Sequence, residues 1–308
     1  AEQSGLLGTA RYVSSLSGST WLVALWMLSC LNTVSFKDSV QQKIVGVPFY
    51  NFLTLDWDAI LTKLALKYEE TGRLNAADLW GSILSDRLMN DLQLQNGQTI
   101  NKQYITFDYI RWLLEVVAKT SNNFYYPFPL FSSSVTSVLP YQWLEVNPFA
   151  TGSDFLGGYI PTFAFGSPFY FGQSEKLYKE ESIATFMGVF GSAYSISAWD
   201  AIKNVGETVI QKCEQKGFDH LANWFKGLIY CYFVNVANGD QKRLLPSYYC
   251  NFTHGMQSLP LTFAPFVELA DAGMSFNLPF PPLFRRKSDI IVVCDASGNS
   301  TNPDFCQL

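Results

Sequence analysis

The sequence predicts an α/β domain with a central, mostly parallel sheet and flanking helices. Three observations carry that expectation. Residues 10–31 read as a strand, a tight turn and a helix in succession. Helical spacing of apolar residues between 57 and 119 gives way to aromatic and β-branched runs after Asn122. The run "SDIIVVCDASG" over 288–298 is apolar on both faces, which suits a buried strand of a parallel sheet.

The elements follow in order. Residues 10–15 predict a short strand, 16–18 a sharp turn and 19–31 a buried helix. Trp57, Ile60, Leu61, Leu64 and Tyr68 fall on one helical face, with Asp56 placed to cap it and Gly72 to end it. Trp80, Ile83, Leu84 and Leu88 mark a second helix, capped near Asn75. A polar loop is expected over 95–103 and a third helix over 106–119. "FYYPFPLFSSSV" and "YQWLEVNPF" read as strands bounded by prolines, and residues 157–172 as a Gly/Pro/aromatic loop. Helices are expected over 181–196, 198–215 and 219–228. No internal repeat or low-complexity linker divides the chain, so one domain spans 1–308. The stretches 35–125 and 200–260 are expected to lie over its sheet.

Composition excludes several function classes. A chain 48% hydrophobic and 15% charged buries a core rather than remaining disordered. Its 25 Phe and 16 Tyr leave apolar surface for a cleft as well as a core. The net charge is -5 and no basic run occurs, so nucleic acid is excluded as a partner. The six cysteines show no CxxC pair and no zinc spacing, and are read as reduced structural thiols. Sequons at Asn251 and Asn299 keep a secreted reading open. The apolar run Trp21–Leu31 is shorter than the ~20 residues a membrane span needs. The first residue is Ala1 rather than Met, which is expected of a processed piece of a longer protein.

Chemistry centres on the serines of "RYVSSLSGSTW". Strand, small-residue turn and helix make the geometry of a nucleophile elbow, although Ser15 and Ser19 stand where the G-x-S-x-G pattern has glycine. A serine hydroxyl needs a base. The chain has two histidines, His220 and His254, and the sequence identifies no clear acidic orienting partner for either. A Ser-His-Asp triad and a Ser-Asp dyad both remain open. For the dyad, Asp271 in "DAG" is followed by small residues that allow close approach.

Five stretches in order resemble the catalytic domain of the cytosolic (group IV) phospholipase A2 family and, more distantly, fungal lysophospholipases. They are "GLLGTARYVSSLSGSTW", "WLEVNPFATG", "FGSPFYFG" with "MGVFGSAYSI", "DAGMSFNLPFPPLFR" and "SDIIVVCDASG". The resemblance covers nearly the whole chain. It implies a patatin-like α/β hydrolase with a cap. It also implies hydrolysis of fatty-acyl esters of phospholipids or lysophospholipids at a peripheral membrane surface, in a cytoplasmic setting and without a cofactor. By the same resemblance Ser17 is the nucleophile, Asp271 the general base and the Gly18 N–H an oxyanion donor. Arg285 and Arg286 contact substrate, with Lys287 as the alternative to Arg286.

Three departures qualify the resemblance. Ser15 replaces a glycine of the family's elbow. The family's Gly-Gly-Gly-x-Arg oxyanion loop would lie upstream of Ala1, and one lost oxyanion donor typically costs ~3 kcal/mol. The 308 residues are therefore expected to be nearly inactive alone. The family's calcium-dependent membrane module is not seen, so calcium is not implied. Besides the hydrolase, the sequence leaves open a catalytically impaired lipid-binding or scaffold protein of the same fold, and another acyl hydrolase or transacylase on the same dyad.

Overall fold

A computed structural model of the protein describes residues 6–29, 36–38, 41, 51–89, 101–120, 126–192, 206–237, 247–257 and 259–295. The expected elbow is there. Strand β1 (Tyr12–Leu16) runs directly into helix α1 (Ser17–Ser29), with no loop residue between them. Helix α1 is apolar nearly all round, and its Ala24 to Leu28 are buried.

Helix α2 (Trp57–Thr71) starts where the Asp56 carboxylate accepts the Ala59 N–H, and ends at Gly72, whose φ is 70°. Both ends match the sequence reading. Helix α3 (Ala76–Leu88) starts at Asn75, where the Asp78 carboxylate reaches back to the Asn75 N–H at 2.7 Å. Helix α4 (Phe107–Thr120) confirms the third predicted helix. Of the predicted helix over 181–196, α5 (Ile183–Phe190) is seen, and residues 193–196 lie outside the described residues. A helix covers 206–215, while residues 198–205 and most of the predicted 95–103 loop lie outside the described residues. Helix α6 (Asp219–Ala237) runs further than predicted.

Among the described residues the main sheet has seven strands. Strands β2 (Phe128–Val135), β3 (Gln142–Val146), β4 (Ala150–Ser153) and β5 (Gly158–Pro161) form a meander, continued on the other side of β2 by β9 (Phe266–Asp271) and β8 (Ser247–Cys250). A small hairpin of β6 (Phe169–Tyr170) and β7 (Gln173–Ser174) begins inside the 157–172 region predicted as loop and ends just beyond it.

Two expectations are corrected here. The sheet is not mostly parallel: among the described residues only β1–β2 is a parallel pair. The connections β2–β3, β3–β4 and β4–β5 are short turns, and a parallel crossover needs roughly a dozen residues or more. The 288–298 run forms no strand over its described part: Ile290 is 84% and Val292 62% exposed. Both sides of β2 are already occupied, by β3 on one and by β1 and β9 on the other.

The pairing along β2 positions the site. Strand β1 lies parallel to it and ends with Leu16 opposite Ser132. Strand β9 lies antiparallel to it and ends with Asp271 opposite Ser133. The C-terminal ends of β1 and β9 therefore meet head-on along one strand. One face of β2 packs through Phe131 onto Phe107 of α4 and Phe190 of α5. The other face is covered by residues 279–286, tied down by a Ser14 Oγ bond to the Pro279 carbonyl.

Helices α3 and α5 cross in close backbone contact at Gly81 and Gly188. A Cβ on Gly81 would stand 1.9 Å from the Ala184 oxygen, and one on Gly188 2.0 Å from the Ala77 oxygen. Either helix would have to move to accept a methyl group. Gly188→Ala is expected to destabilise the fold by about 3 kcal/mol, read from the urea unfolding midpoint.

Behind that crossing, Lys67 of α2 bridges Asp78 at 2.7 Å and Glu181 at 2.5 Å. Lys63, one turn earlier, is buried, and its Nζ has no hydrogen-bond partner. Burial lowers the Lys63 pKa to about 8 from 10.5, opposed by Asp78 and Glu181 and aided by Lys67. From pH 8 to 10.5 the unfolded chain keeps the Lys63 proton that the folded chain has released. Stability therefore gains from Lys63 as pH rises through that window, by on the order of 3 kcal/mol. Lys63→Met is expected to flatten this rise and to raise the melting temperature at pH 7, in thermal scans of both proteins at pH 7, 8, 9 and 10.

Candidate active site

Ser17 sits at the strand-to-helix junction with φ 51°, a left-handed conformation that non-glycine residues rarely adopt. The strain is held by Ser19, whose Oγ donates to the Leu16 carbonyl at 2.5 Å and accepts the Leu16 N–H at 3.0 Å. Thr20 Oγ1 approaches Ser15 Oγ at 3.4 Å, and Ser15 is fully buried. The serines of this segment thus have separate jobs. Ser14 anchors the covering segment, Ser15 packs inside, Ser19 braces the elbow, and Ser17 alone turns its hydroxyl to a carboxylate.

That carboxylate belongs to Asp271. Ser17 Oγ donates to Asp271 Oδ2 at 2.8 Å. Asp271 Oδ1 accepts the Gly273 N–H at 2.9 Å, so one oxygen is fixed and the other faces the serine. The Asp271 backbone N–H donates to Ser192 Oγ at 3.0 Å. Asp271 is fully buried, while Ser17 keeps partial exposure. A buried carboxylate accepting a hydroxyl proton from a half-open serine has the geometry of a general base and its nucleophile. Gly18 lies in the first turn of α1, where backbone N–H groups lack intrahelical acceptors.

The histidines are occupied elsewhere. His220 stacks on Tyr68 with ring centroids 4.6 Å apart, and His254 packs edge-on against Tyr170. Among the described residues no group of His, Cys, Asp and Glu could hold a metal ion. Asn251 is buried, and its side chain bonds to the Leu261 and Ala264 carbonyls, so this sequon is closed to modification in the folded chain. Asn299 lies outside the described residues. The cysteines Cys213, Cys231, Cys250 and Cys294 are free thiols.

The two arginines have different surroundings. Arg286 grips the buried Glu145 through both terminal nitrogens, at 2.7 and 2.5 Å, and donates to the Pro282 carbonyl. Its guanidinium also lies over the Tyr12 ring of β1. Arg285 is more open, paired with exposed Asp154 at 3.1 Å and resting on Tyr159. Lys287 follows with φ 50°. Sequence reasoning missed the roles of Ser19 and Ser192. A small hydroxyl two residues after Ser17 was a local signal for Ser19; the Ser192 contact spans 79 residues and left none.

The model of the lysophospholipase catalytic domain matches residues 1–305. The chain belongs to that family. Among curated relatives, human cytosolic phospholipase A2 zeta is 24% identical over 250 residues, covering 78% of this chain and 26% of the relative. Mouse cytosolic phospholipase A2 delta is 24% identical over 206 residues, covering 64% of this chain and 23% of the relative. The chain thus spans about a quarter of the length of these relatives. The solved structure of human GIVD cytosolic phospholipase A2 superposes with a TM-score of 0.60 at 20% identity, over 92% of this chain and 40% of that one. At that identity the likeness establishes a shared α/β fold.

Removing Arg286 strands a buried carboxylate. Arg286→Ala is expected to cost about 3–5 kcal/mol of stability, and the double change Glu145→Leu with Arg286→Met to recover most of it. Denaturant midpoints of the single and double variants check this.

Proposed function

We propose that the protein hydrolyses fatty-acyl esters of phospholipids or lysophospholipids with a Ser17–Asp271 dyad. The single observation that carries the proposal is the 2.8 Å hydrogen bond from Ser17 Oγ to Asp271 Oδ2, inside a chain of the lysophospholipase family. In the acylation step Asp271 takes the hydroxyl proton as Ser17 Oγ attacks the ester carbonyl carbon. The tetrahedral oxyanion collapses and expels the lysolipid or glycerophospho alcohol, which takes the proton back from Asp271. The acyl-serine remains. Water then gives its proton to Asp271, attacks the acyl carbon and releases the fatty acid, with the proton returning to Ser17.

The Gly18 N–H is proposed as one oxyanion donor, since it lies one residue beyond the nucleophile at the start of α1. Arg285 is the residue proposed to meet the lipid phosphate, because exchanging an exposed Asp154 for a phosphate costs little. Arg286 is proposed to act on substrate only through the segment it anchors. The relatives are cytosolic phospholipases, which supports a cytosolic setting and a phospholipid substrate; access to a peripheral membrane surface is part of the proposal. No helix among the described residues is long and apolar enough to cross a membrane.

The test is turnover of micellar lysophospholipid and vesicle phospholipid by the full-length protein, with Ser17→Ala and Asp271→Asn beside it. Each variant is expected to lose about a thousandfold or more in kcat. A serine-directed fluorophosphonate is expected to label the parent protein and not Ser17→Ala. Lipid binding without turnover or labelling would instead favour the scaffold reading.

A further inference from the structure

We propose that Ser192 is a positioning residue for the dyad, the end of a strut that ties the base to the helix carrying the nucleophile. The inference rests on the Ser17–Asp271 reading and concerns what holds the two side chains at reacting distance.

Strand β9 lies between β2 and β8. Its neighbour β8 pairs from Phe266 to Leu269, with Ser247 opposite Leu269 as the last pair. The residues that this register would set opposite Ala270 and Asp271 lie outside the described residues. Ser192 Oγ accepts the Asp271 N–H at 3.0 Å. Both residues are almost wholly buried.

Ser192 is itself fixed. Gly191 closes α5, and its carbonyl accepts the Trp80 indole N–H of α3 at 3.1 Å. The Trp21 indole N–H of α1 donates to the Met187 carbonyl one turn earlier, at 2.9 Å. The Trp21 ring lies so close that a Cβ on Gly191 would stand 2.2 Å from it. Only glycine fits there. Trp21 is one helical turn after Ser17.

These contacts close a ring: Ser17, the first turn of α1, Trp21, the end of α5, Ser192, Asp271 and back to Ser17 across 2.8 Å. A helix shift that moved the nucleophile would carry α5 and Ser192 with it, and so the base. Without the Ser192 acceptor, the end of β9 keeps its pairing with β2 but loses its tie to α5, and with it the fine placement of the carboxylate against the serine. A displacement near 1 Å can cost about 100-fold in rate.

The experiment compares Ser192→Ala, Ser192→Thr and Trp21→Phe in the full-length protein, with Ser17→Ala as control. Readouts are kcat and KM on micellar lysophospholipid, the rate of fluorophosphonate labelling, and the melting temperature. Ser192→Ala is expected to lower kcat and the labelling rate together by about 10- to 100-fold, with KM within about twofold. Ser192→Thr keeps the acceptor and restores most of the rate. Trp21→Phe keeps the ring, loses the indole bond and falls between them. If Ser192→Ala folds and keeps kcat within twofold while Ser17→Ala abolishes turnover, the inference fails and the dyad stands. A Ser192→Thr as slow as Ser192→Ala, or a Trp21→Phe with full kcat, also overturns it. If Ser17→Ala leaves hydrolysis and labelling intact, the dyad reading fails and this inference with it.

Discussion

Everything about the site depends on how strand β2 is paired. It works as a ruler along which two strands arrive from opposite directions. Strand β1 stops at Leu16, opposite Ser132, and β9 stops at Asp271, opposite Ser133. The residue that follows Leu16 is Ser17. Ser17 and Asp271 therefore meet because two registers end on adjacent residues of a third strand. A slip of one residue in either strand would turn its side chains to the opposite face and separate the pair. The centre of β2 is buried on both faces, which specifies register strongly.

Around this meeting point the fold uses contacts that tolerate little movement. The elbow holds Ser17 at positive φ through the two bonds of Ser19. Helices α3 and α5 touch backbone to backbone, which leaves no room for sliding. Lys67 joins α2 to α3 and to the approach of α5 through two buried carboxylates. On the opposite face of the sheet, Arg286 and Glu145 fasten the segment that follows Asp271. Strain at Ser17 is thus surrounded by rigid packing, the arrangement in which a sparsely populated backbone conformation persists.

The two neighbouring arginines show how chemical identity and role separate. Adjacent in sequence and equal in charge, they differ in what they face. Arg286 is spent on a buried carboxylate that would be costly to leave alone. Arg285 holds an exposed partner that water or another anion can replace at small cost. Their order in the chain carries no trace of that difference.

The sequence by itself determined what local chemistry controls. The elbow serine, the caps at Asp56 and Gly72, the start of α3 at Asn75 and the strands on either side of Pro140 all follow from neighbours a few residues apart. The ordered motifs also pointed to the family and to Ser17 and Asp271 as its pair. Tertiary structure decided the rest. Short turns made the sheet largely antiparallel, and apolar composition alone could not reveal that. The exposed Ile290 and Val292 look like a buried strand in sequence because hydropathy does not say whether a neighbour is present. The bonds from Ser17 to Asp271 and from Asp271 to Ser192 cross 254 and 79 residues. Contacts of that span are set by register and packing in three dimensions, which no local pattern encodes.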